Sequence, residues 1–243
     1  MAFDQIVIFL FYNVAESEEK IMEKKSQLLR YVRKIAMQHG VEEKEIDEAF
    51  KSTVGIAYYI AKVAHDGVER DNGTPYMGHP LRIYDKFGAL ICIEDSNFDV
   101  DECISYKIPF FGVQEVCLLH DVIEDWVATI EDIGGMYEEL GYKDYFDMYI
   151  KTPLEYVTHD KNVDYETYIN IVLKNPTSAL VKLLDLNDNI DIFGLGSYED
   201  KEDDRMHRYA KYRKMINDEY HFVEKITNYR KDCIYQTCGR ASA

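Results

Sequence analysis

The tract VCLLHDVIED (116–125) places a histidine, an aspartate, a glutamate and a second aspartate at the end of an apolar run. Four such groups at a buried helix end are costly unless something pairs them. A divalent cation is an economical partner, and imidazole with carboxylate suits Mn, Fe, Co, Ni or Zn. His120 and Glu124 are four apart and Asp121 and Glu124 three apart, so on a helix all three project toward one side. Asp125 adds a second acid beside them. Two neighbouring carboxylates that are not both ligands suit activation of water, because their shared charge holds a base near working pH. The alternative is a plain acidic helix C-terminus, which the helix dipole disfavours. Spacing alone leaves both readings open. The isolated histidines His39, His65, His159, His207 and His221 carry no comparable signal.

Two further segments matter: AHDGVERDNGTPYMGHP (64–80) and LVKLLDLNDNI (180–190). With LLHDVIED they resemble, in matching order, the HD-domain metal-dependent phosphohydrolases. The similarity is greatest to the alarmone (ppGpp) hydrolase domain of the RelA/SpoT group and its small stand-alone relatives. The resemblance implies an all-α HD-domain helical bundle in which His79, His120, Asp121 and Asp185 bind one divalent metal, usually Mn²⁺. Four protein ligands leave open positions for water and a phosphate oxygen. It further implies Glu124 and Asp125 as the catalytic pair, and Arg70, Asn189, Arg205 and Tyr209 as contacts to a small-molecule nucleotide. The implied reaction is removal of pyrophosphate from the 3′ position of ppGpp or pppGpp. Lys182 lies one turn before Asp185, where it either meets a phosphate or neutralises a ligand carboxylate. His65 belongs to the family's AH pattern without being one of its metal ligands, which suggests packing or support.

The chain departs from that pattern in places. Asp71 follows Arg70, Leu186 stands where a basic residue usually follows the metal aspartate, and Trp126 replaces a common threonine. The connection from His79 to His120 is long and carries Glu94, Asp95, Asp99, Asp101 and Glu102. These differences spare the ligands and the acid pair but bear on substrate. The alternatives are therefore an HD hydrolase of another nucleotide or phosphate ester, and a non-catalytic binding module on the same scaffold.

Helices must position these groups. Ile21, Leu28, Val32, Ile35 and Ala36 recur at helical spacing before Gly40, which suits a left-handed cap. A second helix is expected from near Glu42 and a third through Ile56, Ile60, Val63 and Ala64; others follow around 80–93 and 112–124. Thr129 with Asp132 forms a weakened capping box, and Asn175-Pro176 opens a helix through Leu180, Leu184 and Asn187. Residues 199–232 read as one long final helix. The expected organisation is an N-terminal extension over 1–50, an HD domain over 51–232 and a tail over 233–243, with residues 5–12 as a strand or buried first segment.

Composition excludes other classes. With 47% hydrophobic residues the chain can bury a large core, and its formal net charge of −17 opposes a nucleic-acid surface, which needs a basic face. The five cysteines form no CxxC pair, so neither a zinc ribbon nor a disulfide framework is expected. The run at Ile6–Tyr12 is too short to span a bilayer, which takes about 20 apolar residues. No membrane partner and a cytoplasmic location are the expectations. Gly194 and Gly196 lack the strand-turn-helix setting of a dinucleotide site.

Overall fold

Apolar residues spaced three and four apart make almost every ordered element a helix. The computed structural model describes residues 18–70, 73–93, 98–125, 128–193 and 200–240. In chain order the helices are α1 (Glu18–Gln38), α2 (Glu43–Ala49), α3 (Thr53–Ala64), α4 (Gly78–Leu90), α5 (Val100–Ser105), α6 (Val113–Leu119) and α7 (Val122–Asp125). They continue as α8 (Ile130–Glu139), α9 (Lys143–Tyr145), α10 (Lys151–Val157), α11 (Tyr165–Val172), α12 (Pro176–Phe193), α13 (Asp200–Tyr220) and α14 (Phe222–Arg240). A π-helical turn, Phe146–Ile150, links α9 to α10. Among the described residues there is no strand, only an isolated bridge between Glu69 and Pro75. The fold is all-α, as expected.

Two helices lie at the centre. In α6, Val113, Val116, Cys117, Leu118 and Leu119 are all buried, and α3, α4 and α12 pack around it. In α12, Ala179, Leu180, Val181, Leu183, Leu184 and Leu186 are buried too, so apolar residues surround most of this helix instead of forming one stripe. That pattern marks a helix enclosed by others, and each of its buried leucines and its valine stabilises the fold by about 1.5–3 kcal/mol relative to exposure. Leu28, Leu29, Val32 and Ala36 of α1 and Ile46 of α2 join the same hydrophobic cluster, with α1 lying along α8 and α3. Residues 28–50 thus contribute to the common core.

The anticipated caps form. Gly40 has φ +81°. The Thr129 hydroxyl accepts from the Asp132 amide at 3.2 Å, and Asp132 in return accepts the Thr129 amide at 2.9 Å. Asn175 Oδ1 accepts the amides of Thr177 and Ser178. Gly112, at the start of α6, is required twice over: its φ is +77°, and a Cβ there would fall 2.1 Å from the Tyr149 carbonyl oxygen.

Other elements differ from expectation. The polar connection contains α5, capped by Asp99 accepting the Asp101 amide at 2.8 Å. The single final helix is two helices, broken at His221, which takes φ +53°. Tyr220 donates to the Leu173 carbonyl at 2.7 Å while Phe222 is fully buried, and one continuous helix does not serve both contacts. Asn217 stabilises the break by accepting the Val223 amide at 2.9 Å. His221→Gly is expected to stabilise the protein by about 0.5 kcal/mol, the relief of left-handed strain less glycine's chain entropy. A higher urea midpoint at unchanged slope is the measurement. The segment Ile6–Tyr12 and the Gly194–Gly196 pair lie outside the described residues.

Candidate metal centre

Three helix ends and one helix middle supply the cluster. His79 is the second residue of α4 and Asp185 lies midway along α12, while His120 and Asp121 form the turn between α6 and α7. The run expected as one helix over 112–124 is therefore interrupted at the HD pair itself. The interruption frees both side chains to face α4 and α12.

The geometry is tight. His79 Nε2 and His120 Nε2 are 3.3 Å apart. Asp185 Oδ1 lies 3.1 Å from His79 Nε2 and 3.9 Å from His120 Nε2. Asp121 Oδ2 lies 3.1 Å from His120 Nε2 and 3.6 Å from His79 Nε2. His79, His120 and Asp185 are buried and offer ligand atoms all within 4.8 Å of one another. Asp121 closes the remaining side, where Tyr76 donates its hydroxyl to Asp121 Oδ2 at 2.7 Å.

Hydrogen bonding fixes which ring nitrogens face inward. His120 Nδ1 is 2.9 Å from the Cys117 carbonyl, an acceptor only, so Nδ1 carries the hydrogen. His79 Nδ1 is 2.8 Å from the carboxylate of Asp188, which imposes the same tautomer. Both Nε2 atoms then face the same small space as two carboxylates. Such a donor set repels itself unless a proton or a metal cation lies within it, and once deprotonated it fits a single divalent ion. Burial acts against a charged His120, but Asp121 and Asp185 beside it outweigh burial and raise its pKa to about 9. Burial likewise opposes the charge on Asp185, yet Lys182 and His79 hold that carboxyl well below its usual range. A cation entering this site would displace the imidazole proton.

The other expected residues fall as follows. Glu124 lies in α7 with Oε1 accepting the His159 amide at 2.6 Å. Burial pushes its pKa up, the His159 amide opposes this, and nearby Asp121 adds to the rise. Asp125 ends α7, and its side chain is outside the described residues. Lys182 Nζ donates to Asp185 Oδ2 at 2.7 Å and sits over the rings of Tyr168 and Tyr165, so of its two anticipated roles the geometry displays carboxylate neutralisation. Asn189 donates to Asp185 Oδ1 at 2.7 Å and accepts from Arg70 Nη2 at 2.8 Å. Arg70 also stacks over Tyr76, in a loop held by the Arg70 amide donating to the Thr74 carbonyl at 2.8 Å. Arg205 and Tyr209 are half-buried on α13, which packs against α12. Asp71 and Trp126 lie outside the described residues, and Leu186 points into the core.

His65 is buried against Tyr76, ring centroids 4.7 Å apart, with neither ring nitrogen hydrogen-bonded. Burial lowers its pKa to about 4 despite the pull of Asp121, which keeps the ring neutral. Sequence reasoning missed Tyr76 as a partner of Asp121, the His159 amide as a partner of Glu124, and Asp188 with Arg82 and Lys86. The last group had a signal. His79, Arg82 and Lys86 recur at three and four along one helix face, and Asp188 stands three after Asp185.

No protein-family profile matches the chain. Over 82 residues, 33% of its length, the chain is 33% identical to the bifunctional (p)ppGpp synthase/hydrolase SpoT of Escherichia coli K12. The same figures hold for the guanosine-3′,5′-bis(diphosphate) 3′-pyrophosphohydrolases of Escherichia coli O157:H7 and Shigella flexneri. The matched stretch is 9% of the length of each of these relatives. A solved structure described as a metazoan ortholog of SpoT that hydrolyzes ppGpp aligns with a TM-score of 0.48 at 20% identity, covering 74% of this chain and 95% of that one. Among the described residues no helix is long and apolar enough to cross a membrane. The chain thus counts (p)ppGpp 3′-pyrophosphohydrolases among its relatives over a third of its length.

Proposed function

We propose that the chain is a metal-dependent phosphohydrolase that removes the 3′-pyrophosphate of (p)ppGpp, giving GDP or GTP and pyrophosphate. The observation carrying this reading is the convergence of two tautomer-fixed imidazoles on Asp121 and Asp185. In it, His79, His120, Asp121 and Asp185 hold one Mn²⁺. When bound, that ion would polarise a phosphoryl group and neutralise its developing charge.

The chain's own residues do the rest. Glu124, anchored by the His159 amide and close enough to Asp121 for their charges to interact, takes the proton of the attacking water, with Asp125 as the second acid of the pair. Arg70 and Asn189 already hydrogen-bond each other at the edge of the cluster and present guanidinium and amide to the nucleotide. Arg205 and Tyr209, half-buried on α13 beside α12, complete the contacts to the nucleotide in this reading. Lys182 keeps Asp185 ionised.

Purified protein with Mn²⁺ is expected to release pyrophosphate from ppGpp and to lose that activity in EDTA. A panel including other nucleotides and simple phosphate esters discriminates the second reading. With Leu186 in the core, no cation follows Asp185 at the site edge, a change that bears on highly charged substrates. Turnover of panel esters without ppGpp cleavage would assign the site to another phosphate ester; turnover of nothing would remove the hydrolase reading.

A further inference from the structure

We infer that Asp188 is a positioning residue for the proposed metal site, a buried carboxylate that holds His79 as a ligand while the half-exposed Arg82 and Lys86 neutralise it. The inference rests on the metal-centre reading above and adds residues that neither motif spacing nor ligand geometry assigns.

Asp188 is fully buried one turn beyond Asp185 on α12. The two carboxylates divide the two nitrogens of one imidazole: Asp185 faces His79 Nε2 at 3.1 Å, and Asp188 accepts from His79 Nδ1 at 2.8 Å. An ionised carboxylate only accepts, so Asp188 forces the hydrogen onto Nδ1 and leaves the Nε2 lone pair for a cation.

A buried carboxylate is costly alone. Here Arg82 donates through Nε to Oδ1 at 3.0 Å and through Nη2 to Oδ2 at 2.9 Å. Lys86 donates to Oδ1 at 3.0 Å, and Arg70 Nη1 lies 3.9 Å from Oδ2. Both oxygens are therefore committed. Asp188 cannot swing around to become a ligand itself, and it holds the ring in a fixed orientation. His79, Arg82 and Lys86 share one face of α4, so a single helix-to-helix contact sets the ring's position and its counter-charges together.

The test is a calorimetric Mn²⁺ titration of the full chain and its variants, with unfolding measured separately in EDTA. Asp188→Asn is expected to weaken Mn²⁺ binding by about 10–100-fold, the usual effect of losing a partner that orients a ligand. Asp191→Asn removes an equal charge one turn on, from a residue that also binds Lys86 but not His79, and is expected to leave affinity unchanged. The double variant Arg82→Gln with Lys86→Gln keeps the carboxylate and frees it to move. It is expected to weaken binding as well, and it decides the matter if Asp188→Asn does not fold. Wild-type affinity in folded Asp188→Asn, or in the folded double variant, overturns the positioning role while leaving the metal centre standing. Equal losses in the Asp188 and Asp191 variants also overturn it, since net charge alone would then explain both. A wild-type chain that takes up no Mn²⁺ overturns the metal-centre reading and this inference with it.

Discussion

Asp121→Ala is expected to give a folded protein that no longer takes up Mn²⁺ and whose hydrolytic activity falls by more than the about 10–100-fold typical of supporting residues. In the proposed site Asp121 is one of the two carboxylates set against the divalent charge, and its Oδ2 lies within 3.6 Å of Nε2 of both His79 and His120. Its loss leaves one anionic ligand and an open side to the cluster. It sits in the turn between α6 and α7, with its side chain 18% exposed, so truncation creates little cavity. Asp185 is the poorer test. Removing it strands the buried Lys182 ammonium, and breaking a buried ion pair costs about 3–5 kcal/mol, which confuses unfolding with lost chemistry. Thermal unfolding with and without the metal gives the cleanest readout. Wild-type protein at a metal concentration 100 times its Kd gains about 2.7 kcal/mol by mass action, and the variant is expected to gain nothing. A metal-dependent rise in Tm that survives in Asp121→Ala would place the cation elsewhere.

The convergence of His79, His120, Asp121 and Asp185 was legible through the ordered resemblance of three short tracts to the HD-domain phosphohydrolases, residue types alone marking only the run that ends in His120 and Asp121. His120 and Asp121 end an apolar run, His79 opens a helix ahead of Pro80, and Asp185 interrupts a buried leucine-rich helix. The caps at Gly40, Thr129 and Asn175 were equally plain, since they rest on local backbone chemistry. What escaped depends on contacts between distant segments. The break at His120 carries no glycine or proline. It arises because Val116–Leu119 bury one way and Val122 resumes the burial after the turn, with the polar pair between them facing α4 and α12. The break at His221 is similar, set by Tyr220 reaching Leu173 and Phe222 reaching the core. Asp188 is the most instructive miss. Beside Asp185 and Asn189 it reads as another acid on a polar edge, and the helical spacing of His79, Arg82 and Lys86 gains its meaning once α4 brings them against it.

The same division between local and distant contacts shapes the acid–base prediction. Glu124→Gln is expected to lower kcat by about 10²–10⁴-fold, the range for removing a positioned general base, while Mn²⁺ affinity and KM stay near wild type. The substitution is close to isosteric, and a glutamine Oε1 still accepts the His159 amide, so the loop after α10 keeps its anchor. Only the charge and the proton-accepting capacity are lost. The pH profile separates this role from mere support. Burial lifts the Glu124 pKa above its ordinary 4.5, the His159 amide pulls against that, and Asp121 adds to the lift. A base works when ionised, so the wild-type rate is expected to climb with pH through that raised value and then level. In Glu124→Gln this acidic limb should vanish and leave a low, flat profile over the same range. A variant that retains the limb at reduced rate would point to Asp125 as the group that titrates. One that raises KM with kcat intact would make Glu124 a substrate contact, because a group removing a proton only in the transition state cannot show its loss as weaker ground-state binding.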